Sequence, residues 1–365
     1  METILILGAG RQGLTCGEFL KKHGYKLIVS DIDPDNIDRC LEKGFEAVKS
    51  DLTRKEAVMD LMNKADIAVS ALPSFLGRSM QEAAIETRTP IIDLSYSDRD
   101  PFELDDHAKN AGIAIVPDAG IAPGTSNFIA GHLYAEFDSI SDMFIYVGGI
   151  PERRIPPFNY FVTWSANDLI EEYLRPARIV KRGEMRTLPA MTGLEKFSFR
   201  DYDDLEAFYT DGLRTLLHTI GDIENLEEKT VRYCGHAKHI CFLKSMGFLE
   251  EKFGEFSPRA LTTSLIEALN NEGIRDIVVM RIEAKGIKDN EETSKTVELF
   301  DRGNDQLSAM ERTTGFSCGM FTKILADNSK GKEGVITPEI LGMDNDIYTL
   351  GISLLKAEGI DIREL

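Results

Sequence analysis

The sequence predicts an α/β fold: a doubly wound parallel sheet, then a second α+β domain with a mixed, mostly antiparallel sheet. Three observations carry this. Over residues 3–116 short apolar runs alternate with helical patterns, which is how a parallel sheet covered on both faces reads. After residue 124 the strand-like stretches lengthen and few helices separate them. At 365 residues, and with roughly 150 residues per domain, the chain can bury two cores.

The first set of strands is read at residues 3–7, 26–30, 46–49 (the weakest), 67–71, 90–94 and 113–116, with helices at 12–23, 34–43, 54–63 and 77–87. The second set is read at 142–148, 159–164, 177–181, 230–234, 277–284 and 294–300. The last two flank a polar segment, 286–292, and form a hairpin. Residues 306–325 and 346–358 are helical again and are expected to return to the first domain. The domains are thus 1–124, 125–305 and 306–365.

Composition narrows the function classes. Hydrophobic residues at 42% and charged residues at 28% exclude a disordered or collagen-like chain. A net charge of -19 argues against nucleic acid or an anionic membrane as partner. No apolar run approaches a membrane span, and no basic or cleavable segment precedes the first strand, so a cytoplasmic protein is expected. Five scattered cysteines without a C-x-x-C suit free thiols in a reducing compartment.

The first strand runs directly into Gly8-Ala9-Gly10-Arg11-Gln12-Gly13, a G-x-G-x-x-G that opens a helix. Gly8 permits the tight turn, Gly10 lets backbone approach a pyrophosphate, and Gly13 lets helix and strand pack closely. The second strand ends at Asp31, 18 residues beyond Gly13, followed by Ile32. This is the context of a Rossmann-type dinucleotide site. A carboxylate at 31 would accept bonds from ribose hydroxyls and repel a 2′-phosphate, so NAD is expected over NADP; the alternative is that Asp31 caps the next helix. Ala71, Leu72 and Pro73, then Asp93 and Leu94, follow strand ends on the same edge and should flank the nicotinamide half.

The stretch from Pro117 through Asp118 and Gly120 to Gly124 resembles the saccharopine dehydrogenase family, in its lysine 6-dehydrogenase branch. So do Ala71-Leu72-Pro73, Tyr146-Val147-Gly148-Gly149-Ile150-Pro151, the run from Tyr209 to Thr215, and Arg232-Tyr233-Cys234-Gly235-His236. Cys234 stands where the family pattern has proline. The resemblance implies NAD-dependent oxidative deamination of the lysine ε-amine, giving 2-aminoadipate 6-semialdehyde and ammonia. It also implies a substrate-binding and dimerisation domain at 125–305 and a homodimer.

Such chemistry needs a neutral amine, a carbon set against the nicotinamide and an activated water. Asp118, just past a strand end, is a candidate to contact the amine or to cap the helix after Gly124. Tyr96 either handles a proton or walls the cleft. His236 is a candidate proton carrier. Arg214, read as lying in an apolar helix, would grip the substrate's α-carboxylate or pair with Asp211 or another acid. Thr163 and Trp164, at a strand end, would line the substrate's methylene chain or the core. Cys234, His236, His239 and Cys241 do not converge in an extended segment, so no metal is expected. The acidic runs 201–206 and 224–228 read as solvated faces. With the same cofactor site, competing readings are cleavage of saccharopine, reductive coupling to a polyamine, a transferase that reduces and reoxidises NAD within one turnover, and a redox-sensing binding protein.

Overall fold

Runs of Ile, Leu and Val build the first of two units, Met1–His132 with Glu311–Gly359. The computed structural model describes residues 2–97, 99–269, 273–328 and 332–365. Strands β1 (Thr3–Leu7), β2 (Lys26–Asp31), β3 (Glu46–Lys49), β4 (Ile67–Ser70), β5 (Ile91–Asp93) and β6 (Ala114–Val116) are parallel, in the order 3-2-1-4-5-6. Gly334–Val335 adds a further parallel strand beside β6. Ile4, Leu5, Ile6 and Leu7 are fully buried, as expected of a strand between two helical layers. The order reverses between β1 and β4, and ligands of such sheets bind at this reversal, beyond the strands' carboxyl ends.

Helices Arg11–Lys22, Pro34–Glu42, Lys55–Met62 and Ser74–Thr87 follow the periodicity of the sequence. Helix Asp105–Ala111 escapes that reading because Asp-Asp-His-Ala-Lys-Asn-Ala has no apolar stripe. Helix Ala309–Asn328 packs against Arg11–Lys22 through two glycines. A Cβ at Gly315 would lie 2.6 Å from Thr15 Cβ, and one at Gly319 2.4 Å from Phe19 Cδ1.

The second unit is Leu133–Met310 with Ile360–Leu365. Its sheet runs β10 (Glu195–Phe199), β11 (Tyr202–Tyr209), β12 (Asn225–Tyr233), β7 (Ser139–Pro151), β13 (Asp276–Lys288), β14 (Glu291–Arg302) and finally Asp361–Glu364. Strand β8 (Ala177–Lys181) pairs with β12, and β9 (Glu184–Leu188) with β8. Among the described residues only β12 against β7 is parallel in this sheet. The sheet is therefore mixed and mostly antiparallel.

Several expectations are corrected here. Residues 159–164 form no strand; their apolar side chains are buried by packing with Leu169, Ile170 and Tyr173, not by a ladder. The β13–β14 hairpin is tighter than read, because Asp289 and Asn290, at φ of 53° and 63°, turn the chain in two residues. The last residues join β14 rather than the first sheet. Glu227 and Glu228 of the acidic run are buried within β12, where neighbouring side chains supply their partners. Arg214 lies in no helix: its φ is 52° and the helix that follows, Leu216–Thr219, is four residues long. Among the described residues no helix is long and apolar enough to cross a membrane.

Candidate functional site

In the first unit the glycine turn joins β1 to helix Arg11–Lys22. Gly8 has φ of 97°, and a Cβ there would fall 2.6 Å from the Ala71 carbonyl oxygen. A Cβ at Gly13 would fall 1.9 Å from the Gly8 carbonyl oxygen, so neither position has room for a side chain. Around Gly10 nothing lies within 4 Å of an added Cβ, and no side chain caps the helix. The helix thus presents unfilled N–H groups and its positive end over open space. The buried Oε1 of Gln12 and Oγ of Ser30 have no hydrogen-bond partner. An open glycine and a bare helix start fit a pyrophosphate-bearing cofactor. Arg11 is exposed and sits 3.7 Å from Glu311. Ala71, whose N–H donates to Leu7 at 2.8 Å, with Leu72 and Pro73 leads from β4 into helix Ser74–Thr87 beside the turn.

Asp31 is committed to its own chain. Its Oδ2 accepts the Ala9 N–H at 2.6 Å and Asn36 Nδ2 at 3.1 Å, and its Oδ1 accepts the Asp33 N–H at 2.8 Å. The carboxylate fastens the glycine turn to the start of helix Pro34–Glu42. Arg39 Nη2 donates to Asn36 Oδ1, which sets a cation beside this group. Ile32 is exposed.

At the other strand ends, Asp93 is fully buried and takes bonds from Gln81 Nε2 at 2.7 Å, Ser95 Oγ at 2.8 Å and Ser95 N–H at 2.9 Å. Burial pushes its carboxyl above the ordinary value. It shapes the loop that holds Leu94 and half-buried Tyr96. Its backbone oxygen accepts the Ala119 N–H at 2.9 Å, tying in the next loop. There Asp118 is buried with φ of 53°, a conformation that local structure must enforce.

In the second unit, Arg214 and Asp211 lie in the loop after β11, both buried. Asp211 takes a two-point contact from Arg178, with Nε and Nη2 each at 2.9 Å. Thr163 is buried, and the half-buried Trp164 donates its indole N–H to Tyr160 at 3.3 Å. His236 is buried, with Nε2 2.9 Å from the Tyr173 hydroxyl and Nδ1 2.9 Å from the Phe158 carbonyl oxygen. Burial, with the charge of Arg232, lowers it to about 3, so the ring is neutral. Cys234 Sγ points to the Leu205 carbonyl oxygen, and Cys241 is exposed.

The sequence reading missed the charged face of β12. Glu228, Thr230 and Arg232 share that face. Arg232 lies 3.5 Å from Glu172, donates to the Tyr173 hydroxyl at 3.1 Å and covers the Tyr160 ring at 4.7 Å. The available signal was the even spacing of Glu228, Thr230 and Arg232 along one strand.

Residues 4–116 match the family model "Saccharopine dehydrogenase NADP binding domain", and residues 120–360 match "Saccharopine dehydrogenase C-terminal domain". The chain is 23% identical over 319 residues to "Saccharopine dehydrogenase [NADP(+), L-glutamate-forming]" of Pyricularia oryzae, covering 81% of this chain and 70% of that protein. It is 22% identical to the mitochondrial alpha-aminoadipic semialdehyde synthase of Mus musculus, covering 98% of this chain but only 47% of that protein. Among solved structures, apo saccharopine dehydrogenase (L-Glu forming) from Saccharomyces cerevisiae superposes with a TM-score of 0.81 at 19% identity, over 100% of this chain and 99% of that one. These matches overturn the expectation of NAD: the matched domain model and the fungal relatives are named for NADP. The physical reason is that Asp31 spends its carboxylate on Ala9, Asp33 and Asn36.

Proposed function

We propose that this chain, which belongs to the saccharopine dehydrogenase family, is an NADP-dependent oxidoreductase that cleaves saccharopine to glutamate and 2-aminoadipate 6-semialdehyde. The observation that carries this reading is that relatives matched across both units are L-glutamate-forming saccharopine dehydrogenases. Their names support saccharopine over free lysine, the substrate expected from the motifs.

Bound NADP supplies the hydride acceptor for the carbon beside the substrate nitrogen. The open backbone at Gly10 and the bare helix start would hold its pyrophosphate, and Arg39 would meet the 2′-phosphate. Asp118 faces the secondary amine and takes the proton that leaves it. Arg214 grips a carboxylate of the glutamate or aminoadipate arm. Hydride loss leaves an imine, water adds to its carbon, and the carbon–nitrogen bond then breaks to give amine and aldehyde. Tyr96 passes protons in these steps.

The test is NADP reduction by the purified chain with saccharopine and with lysine. Saccharopine should give NADPH and lysine none; NADPH and ammonia from lysine alone would overturn the reading.

A further inference from the structure

Inside the second unit, four side chains form an unbroken row of oxygen contacts. Glu228 Oε2 lies 2.7 Å from Thr210 Oγ1, Thr210 Oγ1 lies 2.8 Å from Thr230 Oγ1, and Thr230 Oγ1 lies 2.7 Å from Glu172 Oε1. Each contact is of hydrogen-bond length and needs one proton. The two hydroxyls supply two, so the third must sit on one of the carboxyls. Glu172 faces the Arg232 guanidinium at 3.5 Å, whereas Glu228 faces Glu172 and Asp211, the latter already held by Arg178. The cation favours charge on Glu172 and leaves the proton on Glu228. Burial and those two like charges push Glu228 up to about 8. Lys229 and Glu227 alternate onto the opposite face of β12, toward Glu195 and Lys181.

The row ends on the loop that carries Arg214. Besides Thr210, Glu228 Oε2 accepts the Gly212 N–H at 3.1 Å, and an added Cβ at Gly212 would strike the Glu228 carboxyl carbon at 2.5 Å. Two residues on, Arg214 holds its left-handed backbone.

We propose that Glu228, Thr210, Thr230 and Glu172 form a one-proton relay whose proton, resting on Glu228, locks the turn that presents Arg214. Transfer is balanced. The Glu228 proton passes to Thr210, the Thr210 proton to Thr230 and the Thr230 proton to Glu172, so one carboxyl ionises as the other is neutralised. Glu172, with 12% of its side chain accessible, is the open end. Glu228 and Thr210 are positioning residues that act through the loop. The consequence for substrate rests on Arg214 being the carboxylate clamp.

Infrared difference spectroscopy of the substrate-free protein tests the relay itself. A protonated-carboxyl stretch at pH 7 should vanish in Glu228→Gln and shift in Thr230→Val; a band unmoved by either change would overturn the relay. Kinetics test its consequence. KM for saccharopine should rise about tenfold from pH 7 to 9 as the proton leaves. In Glu228→Gln, whose amide oxygen can still accept from Thr210 and Gly212 but which carries no titrating proton, KM should stay flat across that range with kcat little changed. A KM rise that persists in Glu228→Gln would overturn the positioning role. A lost band with no saccharopine turnover in the native chain would support the relay and refute the substrate reading instead.

Discussion

Asp31 shows how one carboxylate can be read correctly in place and wrongly in role. It stands at the end of β2, where a ribose ligand would be expected, yet three donors of its own chain already bind it. Those donors come from a turn and a helix start, which spacing alone does not reveal. Arg39→Ala should therefore weaken NADP binding by about 1–3 kcal/mol and leave NAD nearly unchanged; titration of both nucleotides checks it, and equal losses would show that Arg39 does not meet the 2′-phosphate. Arg214→Ala should raise KM for saccharopine far more than it lowers Tm. A fall in Tm with an unaltered KM would make Arg214 structural. His236 carries a pH prediction. Its depressed value, about 3 against an ordinary 6.5, means that the unfolded chain binds the proton first. Its contribution is present above 6.5 and is lost as pH falls toward 3, at up to about 1.4 kcal/mol per pH unit. His236→Phe should lower Tm at pH 7 but flatten the decline between pH 6.5 and 4; an equally steep decline would mean that the ring is not held neutral.

Among elements, the parallel strands other than β3 were legible because each is a short apolar run bounded by turn residues, with both faces buried. The second sheet was less so. In β12, Leu226 is followed by Glu227, Glu228, Lys229 and Thr230, all buried, and a run of charge reads as solvent-facing until its partners are known. Likewise 159–164 has the aromatic and β-branched residues of a strand but is buried by side-chain packing. The glycine turn was fully legible, and its two inner positions separate binding from folding. Gly10→Ala meets no neighbour and has an ordinary φ of -64°, so it should leave Tm unchanged while NADP affinity drops on the order of tenfold. Gly13→Ala drives a Cβ into the Gly8 carbonyl and should lower both. If Gly10→Ala binds NADP like the native chain, no phosphate approaches that backbone.

For the whole molecule, the division into two units was visible in the change of pattern near residue 124, and the function class in the glycine fingerprint. The substrate was not, because a chain with net charge -19 and many arginines gives no count that separates a substrate clamp from an internal ion pair. Structure accounts for two of them: Arg178 pairs with Asp211 and Arg232 with Glu172. Saccharopine cleavage makes glutamate, and lysine deamination makes ammonia, so product stoichiometry decides between them. Incubated with saccharopine and NADP, the native chain should release one glutamate per NADPH and no ammonia. NADPH formed without glutamate, or ammonia released from lysine in step with it, would contradict the account.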